Sequence, residues 1–266
     1  MVGSRSNLVK LIGCPPIRAS SRTFAAVLLK TRGVVLRAKK YSETSIILDV
    51  YTEEKGMRSY LVSGVRTQRA KISPALMQVT SLLDMVVYHR DEKDLSRTKE
   101  IRPAYVYQKL PYDVVRSSVG LFVAEISRKT LREAGANAEI FRLIFDTLVH
   151  LDTTQNPVSN VHFVFLLRLA GYLGFSPGGE FSEKTPHFDM EEGYFVERAA
   201  RSGHYLNEDL SRTLYRLLHT DLNTAHTITL DRTTRGLLLD RLLDFFYLHV
   251  AGLGELHAHK ILQSVF

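Results

Sequence analysis

The chain has 266 residues, 45% of them hydrophobic and 24% charged, enough to bury a sizeable core in one or two domains. A single cysteine, Cys14, excludes an intrachain disulfide framework and fits a reducing, cytoplasmic setting; no apolar run reaches the ~20 residues of a membrane helix, the longest candidate, 161–175, being broken by His162, Arg168 and two glycines. The net charge of +7 is unevenly spread: residues 1–29 carry four basic residues and no acid, residues 30–104 fifteen basic and nine acidic, and residues 105–266 sixteen basic against nineteen acidic, which points to an anionic partner for the front of the chain.

Residues 1–28 mix Ser, Arg and Gly with a Cys14-Pro15-Pro16 break and show no sustained period. Such an acid-poor start reads either as a transit peptide or as a non-native extension, and the abrupt onset of a folded pattern at Leu29 favours the second. The expectation is a disordered, dispensable tail. From Thr31 the pattern is β. Gly33–Arg37 forms a short strand, 39–43 a polar turn, and Thr44–Tyr51 a second strand rich in β-branched residues. The charged turn 52–56 ends in Gly56, suited to positive φ. A third strand at Met57–Ser63 leads into the basic loop 65–73, with Pro74 opening a short helix. Ser81–Tyr88 and Arg97–Tyr105 supply two more strands. Five strands with a helix between the third and fourth is the order of an OB-fold barrel, spanning 29–105.

Beyond residue 105 the period becomes helical. Helices are predicted over 112–134, 138–151, 157–174 (capped by Asn156), 212–219, 233–251 and 257–265, with wide apolar stripes that pack as a bundle. Residues 175–206 read as an irregular insertion with a small hairpin at Gly193–Val196. The fold class is therefore α+β: an N-terminal five-stranded OB-fold barrel followed by an α-helical bundle over 106–266.

The search for catalytic chemistry returns nothing to build on. Gly178-Gly179-Glu180 lacks the Lys-Ser of a phosphate-binding loop, there is no Gly-x-Ser-x-Gly turn, and no His-Glu-x-x-His helix occurs. His257 and His259, two apart, make a poor metal pair. The reading is a non-enzyme that needs no cofactor and no metal. The positive signal is the barrel's charge. Arg37, Lys39 and Lys40 cluster after the first strand, Arg58 begins the third, and Arg66, Arg69 and Lys71 fill the third-to-fourth connection. Cations held along a groove bind a phosphate backbone by releasing its counterions, and exposed rings add base stacking. Tyr41, in the basic loop, is the stacking candidate. Tyr51 and Tyr60 are equally compatible with stacking and with barrel core.

Three sets of residues carry a resemblance. Thr31-Arg32-Gly33-Val34-Val35-Leu36, Tyr41-Ser42-Glu43-Thr44, Tyr51-Thr52, Gly56 and Gly64-Val65-Arg66 resemble the barrel signature of the RecO family. Residues 165–177 are similar to that family's helix leading into its insertion. Arg241-Leu242-Leu243, Tyr247, His249 and Lys260-Ile261-Leu262 resemble its closing helices. The likeness runs in order over residues 29–266. It implies a mediator of DNA repair and recombination that binds single- and double-stranded DNA and anneals complementary strands. It further implies work with RecR, engagement of the acidic C-terminal tail of SSB, and help in loading RecA. The motif match would put Arg37, Lys39, Lys40 and Arg66 in the DNA-facing set. Many members carry a four-cysteine zinc module in the insertion; residues 178–206 hold no cysteine, so no zinc is expected there, with Phe188, Tyr194 and Phe195 as an apolar anchor instead.

The reading that follows is a cytoplasmic, non-catalytic DNA-binding barrel backed by a helical platform for partners. An acidic tail is expected to dock near Arg128, Arg132 and Arg168. Two rivals are an OB-fold RNA-binding protein and an adaptor whose basic face binds acidic protein tails.

Overall fold

A computed structural model of the chain describes residues 27–65, 74–89, 95–132 and 135–266. The expected disorder of residues 1–26, and the loop bearing Arg66, Arg69 and Lys71, lie outside the described residues.

Five strands close into a barrel in the order β1-β2-β3-β5-β4: β1 (Val27–Lys40), β2 (Ile46–Thr52), β3 (Gly56–Val62), β4 (Leu82–His89) and β5 (Leu95–Pro103). All pairings are antiparallel except β3 with β5, which closes the ring. A 3-10 turn, Pro74–Met77, sits between β3 and β4, so the OB-fold order expected from the strand pattern is the one observed. Alternation explains the interior: Val35, Leu48, Val50, Tyr60, Val62, Leu83, Met85, Val87 and Ile101 point inward and pack together. Gly33 lies where the wall is tightest, since a Cβ there would stand 2.5 Å from Val50 Cγ1 and 3.2 Å from Met85 Sδ. Gly56, at φ +63°, closes the charged turn as its position required.

β1 departs most from expectation. It runs 14 residues instead of five, beginning inside the stretch read as tail and continuing through Lys39 and Lys40, which were read as turn. The reason is double duty: Val27–Val34 pair with β4, and Gly33–Lys40 pair with β2. Neither partner is visible in the local polarity of Lys30, Arg32, Lys39 and Lys40. Leu36 is the bulged residue, because the register passes from Val35↔Val50 to Arg37↔Asp49. A bulge bends the strand and re-aims the neighbouring side chains.

The helical part comprises α1 (Val114–Thr130), α2 (Ala138–Thr153), α3 (Val161–Leu173), α4 (Glu208–Leu218), α5 (Arg232–His249) and α6 (Ala258–Val265). Asp113, Asn137, Asn207 and Asp231 cap α1, α2, α4 and α5 by accepting from backbone N–H groups of the first turn. The third helix starts four residues later than Asn156-Pro157 suggested. Asn160 precedes it, and its Nδ2 instead donates to the carbonyls of Ala225 and Ile228, tying down a distant loop. Gly174, at φ +90°, ends α3. The insertion is more ordered than expected: β6 (His187–Asp189), β7 (Tyr194–Val196) and β8 (Tyr205–Leu206) form a sheet in the order β7-β6-β8. Phe188 and Phe195 anchor it in the core, but Tyr194 does not; it is 58% exposed. His204 is engaged with Glu191 and His187 packs edge-on against Tyr205, and the described residues hold no group of three or more potential metal ligands.

Barrel and helices share a seam. Val34, Leu36, Tyr51 and Leu82, on the barrel's outer face, belong to the same buried cluster as Val119, Phe122, Val123 and Ile126 of α1. Arg32 clasps the seam, pairing with both oxygens of Glu53 at 2.8 Å while its guanidinium lies 5.4 and 5.3 Å from the ring centres of Phe141 and Phe145. The connecting segment is fixed by Asp152, at the end of α2. Its buried carboxylate accepts from the N–H groups of Gln108, Lys109 and Leu110 and from the Tyr105 hydroxyl. Burial alone would raise the Asp152 pKa, but these donors outweigh it and hold the carboxyl below its ordinary value.

Candidate nucleic-acid interface

The bulge at Leu36 builds the site. Leu36 turns under α1 and is buried, and Arg37 follows it on the outer face, half-exposed at the edge of the seam. Two residues on, Lys39 takes the same face, roughly 7 Å along the strand. Lys40 ends β1. Tyr41 opens the turn to β2, its N–H bonded to Ser45 O at 3.0 Å and its side chain 62% exposed. An exposed ring at the end of a cationic strand can serve as a stacking platform.

The charge is less free than a count of residues implies. Arg37 Nε donates to Asp49 Oδ2 at 2.6 Å, and Ser59 Oγ donates to Asp49 Oδ1 at 2.8 Å. Cross-strand pairing of Arg37 with Asp49 and of Asp49 with Ser59 makes this a ladder across three strands. Lys40 Nζ reaches Glu43 at 3.1 Å, but both side chains are exposed, so the pair is weak and easily exchanged for another anion. Lys39 has no acidic partner among the described residues and faces Ile47.

The other predicted residues divide. Arg58 shares its face of β3 with the core residues Tyr60 and Val62, and sits opposite Val50, so it is not part of the Arg37–Lys39 face. Tyr51 and Tyr60 are wholly buried, which settles their even odds in favour of packing. Burial pushes the Tyr60 phenol up to about 12. Arg66, Arg69 and Lys71 fall outside the described residues. Arg128, Arg132 and Arg168 stand on different segments. Arg168 stands exposed on α3, within electrostatic reach of Asp221, whose carboxyl is held low chiefly by Thr224. Arg128 lies in the last turn of α1 and Arg132 just beyond its end, with Arg37 of the barrel within electrostatic reach of Arg128. That electrostatic reach was not legible in the sequence, because 91 positions separate the two residues.

Comparison with known proteins agrees with this architecture. Residues 27–107 match the family described as Recombination protein O N terminal, and residues 111–258 the one described as Recombination protein O C terminal. A protein of Phocaeicola vulgatus named DNA repair protein RecO is 32% identical over 240 residues, covering 90% of this chain and all of that relative. Proteins of the same name from Bacteroides fragilis and Flavobacterium psychrophilum are 30% and 29% identical, again over 90% of this chain, and over 100% and 99% of those relatives.

Proposed function

This chain belongs to the RecO family of DNA repair proteins, and from that premise we propose that it binds and anneals single-stranded DNA through the outer face of its barrel. Its helical part serves as the platform for RecR, for the acidic SSB tail and for loading RecA onto SSB-coated DNA. The carrying observation is Arg37 and Lys39 together on the outer face of a bulged strand, with Lys40 and the exposed Tyr41 at that strand's end. Annealing makes and breaks no covalent bond. What it needs is a cationic surface that lowers the repulsion between two phosphate backbones and a ring that holds bases apart from solvent. This face supplies both, and it does so in a cytoplasmic, non-enzymatic reading with no cofactor. Arg66, Arg69 and Lys71 extend the same set by their place in the sequence.

The sheet face also explains why sequence preference should be slight. Arg37 and Lys40 are engaged by carboxylates that a phosphate can replace, and contacts of that kind position a backbone without reading base edges. Among the described residues no helix is long and apolar enough to cross a membrane.

The test is a titration of a fluorescent oligothymidylate, bare and coated with SSB, against the full chain and the Lys39→Glu/Lys40→Glu variant. The expected result is binding that weakens with salt, with the variant at least tenfold weaker and its salt dependence shallower by about 0.7 per lost contact. Unchanged binding by the variant would remove this face from consideration. Tight binding of an acidic peptide with no DNA affinity at physiological salt would favour the adaptor reading instead.

A further inference from the structure

One row of cross-strand pairs runs round the outside of the barrel. Lys39 of β1 stands opposite Ile47 of β2, Ile47 opposite Leu61 of β3, Leu61 opposite Arg97 of β5, and Arg97 opposite Tyr88 of β4. Their chain neighbours Ile46, Leu48, Tyr60, Val62 and Val87 pack in the barrel's interior, so alternation turns the row outward. A second bulge sets its last step. Between β4 and β5 the register passes from Val86↔Glu100 to Val87↔Thr98, skipping Lys99, and this brings Arg97 level with Tyr88.

The row alternates charge with apolar surface in a way that packing does not explain. Lys39 and Arg97 are exposed, and among the described residues no hydrogen bond or ion pair engages either side chain. Between them lie Ile47 and Leu61, half-buried yet part of neither buried cluster of the described residues. Tyr88, beyond Arg97, is 41% exposed. The adjacent row toward the seam differs: Arg37, Asp49 and Ser59 are bonded to one another. Strands lie about 4.8 Å apart, so Lys39 and Arg97 stand about 14 Å from each other along the surface, with two aliphatic side chains between them.

Phosphates gain nothing from an aliphatic floor, whereas base faces do. An unpaired base covers apolar side chains or stacks on a ring, and cations at either side hold the phosphates that link one base to the next. In a duplex the faces are stacked away and only base edges line the grooves, so a duplex can engage the cations alone.

We propose that this row is a track for unpaired DNA laid crosswise over the strands: Ile47, Leu61 and Tyr88 receive base faces, and Lys39 and Arg97 grip the phosphates at the two ends of the aliphatic stretch. This rests on the nucleic-acid reading above and deepens it, carrying the site from β1 across β2 and β3 to β5 and β4. It also gives a single strand an advantage over a duplex that the cations by themselves do not supply.

The test titrates a fluorescent oligothymidylate, and a blunt duplex of the same length, against full-length Arg97→Gln, Leu61→Thr/Tyr88→Thr and Tyr88→Phe, with Lys39→Glu/Lys40→Glu alongside. Arg97→Gln is expected to weaken oligothymidylate binding several-fold and to lower the salt slope by about 0.7. The Leu61→Thr/Tyr88→Thr pair is expected to weaken it about tenfold with the slope unchanged, to spare the duplex, and to be matched by no loss in Tyr88→Phe, which keeps the ring. Thermal melting checks that each variant is folded, and the single Tyr88→Thr variant, at an exposed position, serves if the pair is not. If Lys39→Glu/Lys40→Glu weakens binding while the folded Arg97 and Leu61/Tyr88 variants do not, the crosswise track fails and the β1 interface stands. If none of them changes binding, the nucleic-acid reading itself fails. Equal losses for oligothymidylate and duplex in the Leu61/Tyr88 variant would overturn the assignment of those side chains to unpaired bases.

Discussion

The barrel and the helical part bury their apolar residues in different ways. Among the described residues the barrel has a small private core of eleven buried residues, drawn from alternating inward positions of its strands and the turns beside them. The helical part has a much larger cluster that does not end at its own boundary but extends over Val34, Leu36, Tyr51 and Leu82 of the barrel's outer face. One part is thus closed on itself by hydrogen bonds, and the other is completed by its neighbour. Removing the barrel would expose the helices' core, so the seam is structural, and cations placed at its rim acquire fixed positions that a flexible linker could not give them.

Truncating the helical core gives the largest way to break this comparison. Phe122 is fully buried on α1 in the shared cluster, and Phe122→Ala is expected to cost about 4 kcal/mol. Because the cluster spans the seam, denaturant unfolding followed by circular dichroism should show one transition shifted to lower midpoint. Two separated transitions, with the barrel's unmoved, would show that the parts unfold independently. A smaller effect is expected in the barrel. Gly33→Ala places a methyl group against Val50 and Met85, and overpacking of this kind costs about 2 kcal/mol; a melting temperature equal to the parent's would mean that the barrel wall yields more readily than its closed pairing suggests.

The smallest effect at neutral pH concerns His162. It is wholly buried on α3 against Phe122, Phe163 and Phe266, and burial, aided by Arg235, lowers its pKa from 6.5 to about 3. The unfolded chain therefore takes up a proton that the folded chain refuses. Stability is full above pH about 6.5 and declines as pH falls from there toward about 3. His162→Leu should change stability little at pH 7 and flatten the acid limb of a melting-temperature profile. An unchanged acid limb would assign acid sensitivity to other groups, Asp152 among them, whose lowered pKa also costs stability when pH falls through it.

Much of the order was legible from the chain itself. The period of two through residues 31–103 and the helical period beyond it specify the barrel and the bundle, since each pattern can bury its apolar face in only one kind of element. The uneven charge, the glycine at position 56 and the absence of cysteine from the insertion were equally plain. Local pattern failed where a residue's neighbours come from far along the chain. The early start of β1 and the start of α3 at Val161 depend on partners dozens of residues away, and the insertion's sheet on a third strand 16 to 18 residues from the one it joins.

The candidate site shows the same division. Sequence alone determined that positive charge gathers at residues 37–40 and that Tyr41 belongs with it. Only the tertiary structure decided which of those charges are free. The bulge at Leu36 set Arg37 on the rim, cross-strand register handed it Asp49, and the inward face of β3 withdrew Arg58 and Tyr60. Charge is a property of residue types, whereas its neutralisation depends on distance, and distance between remote residues is set by packing.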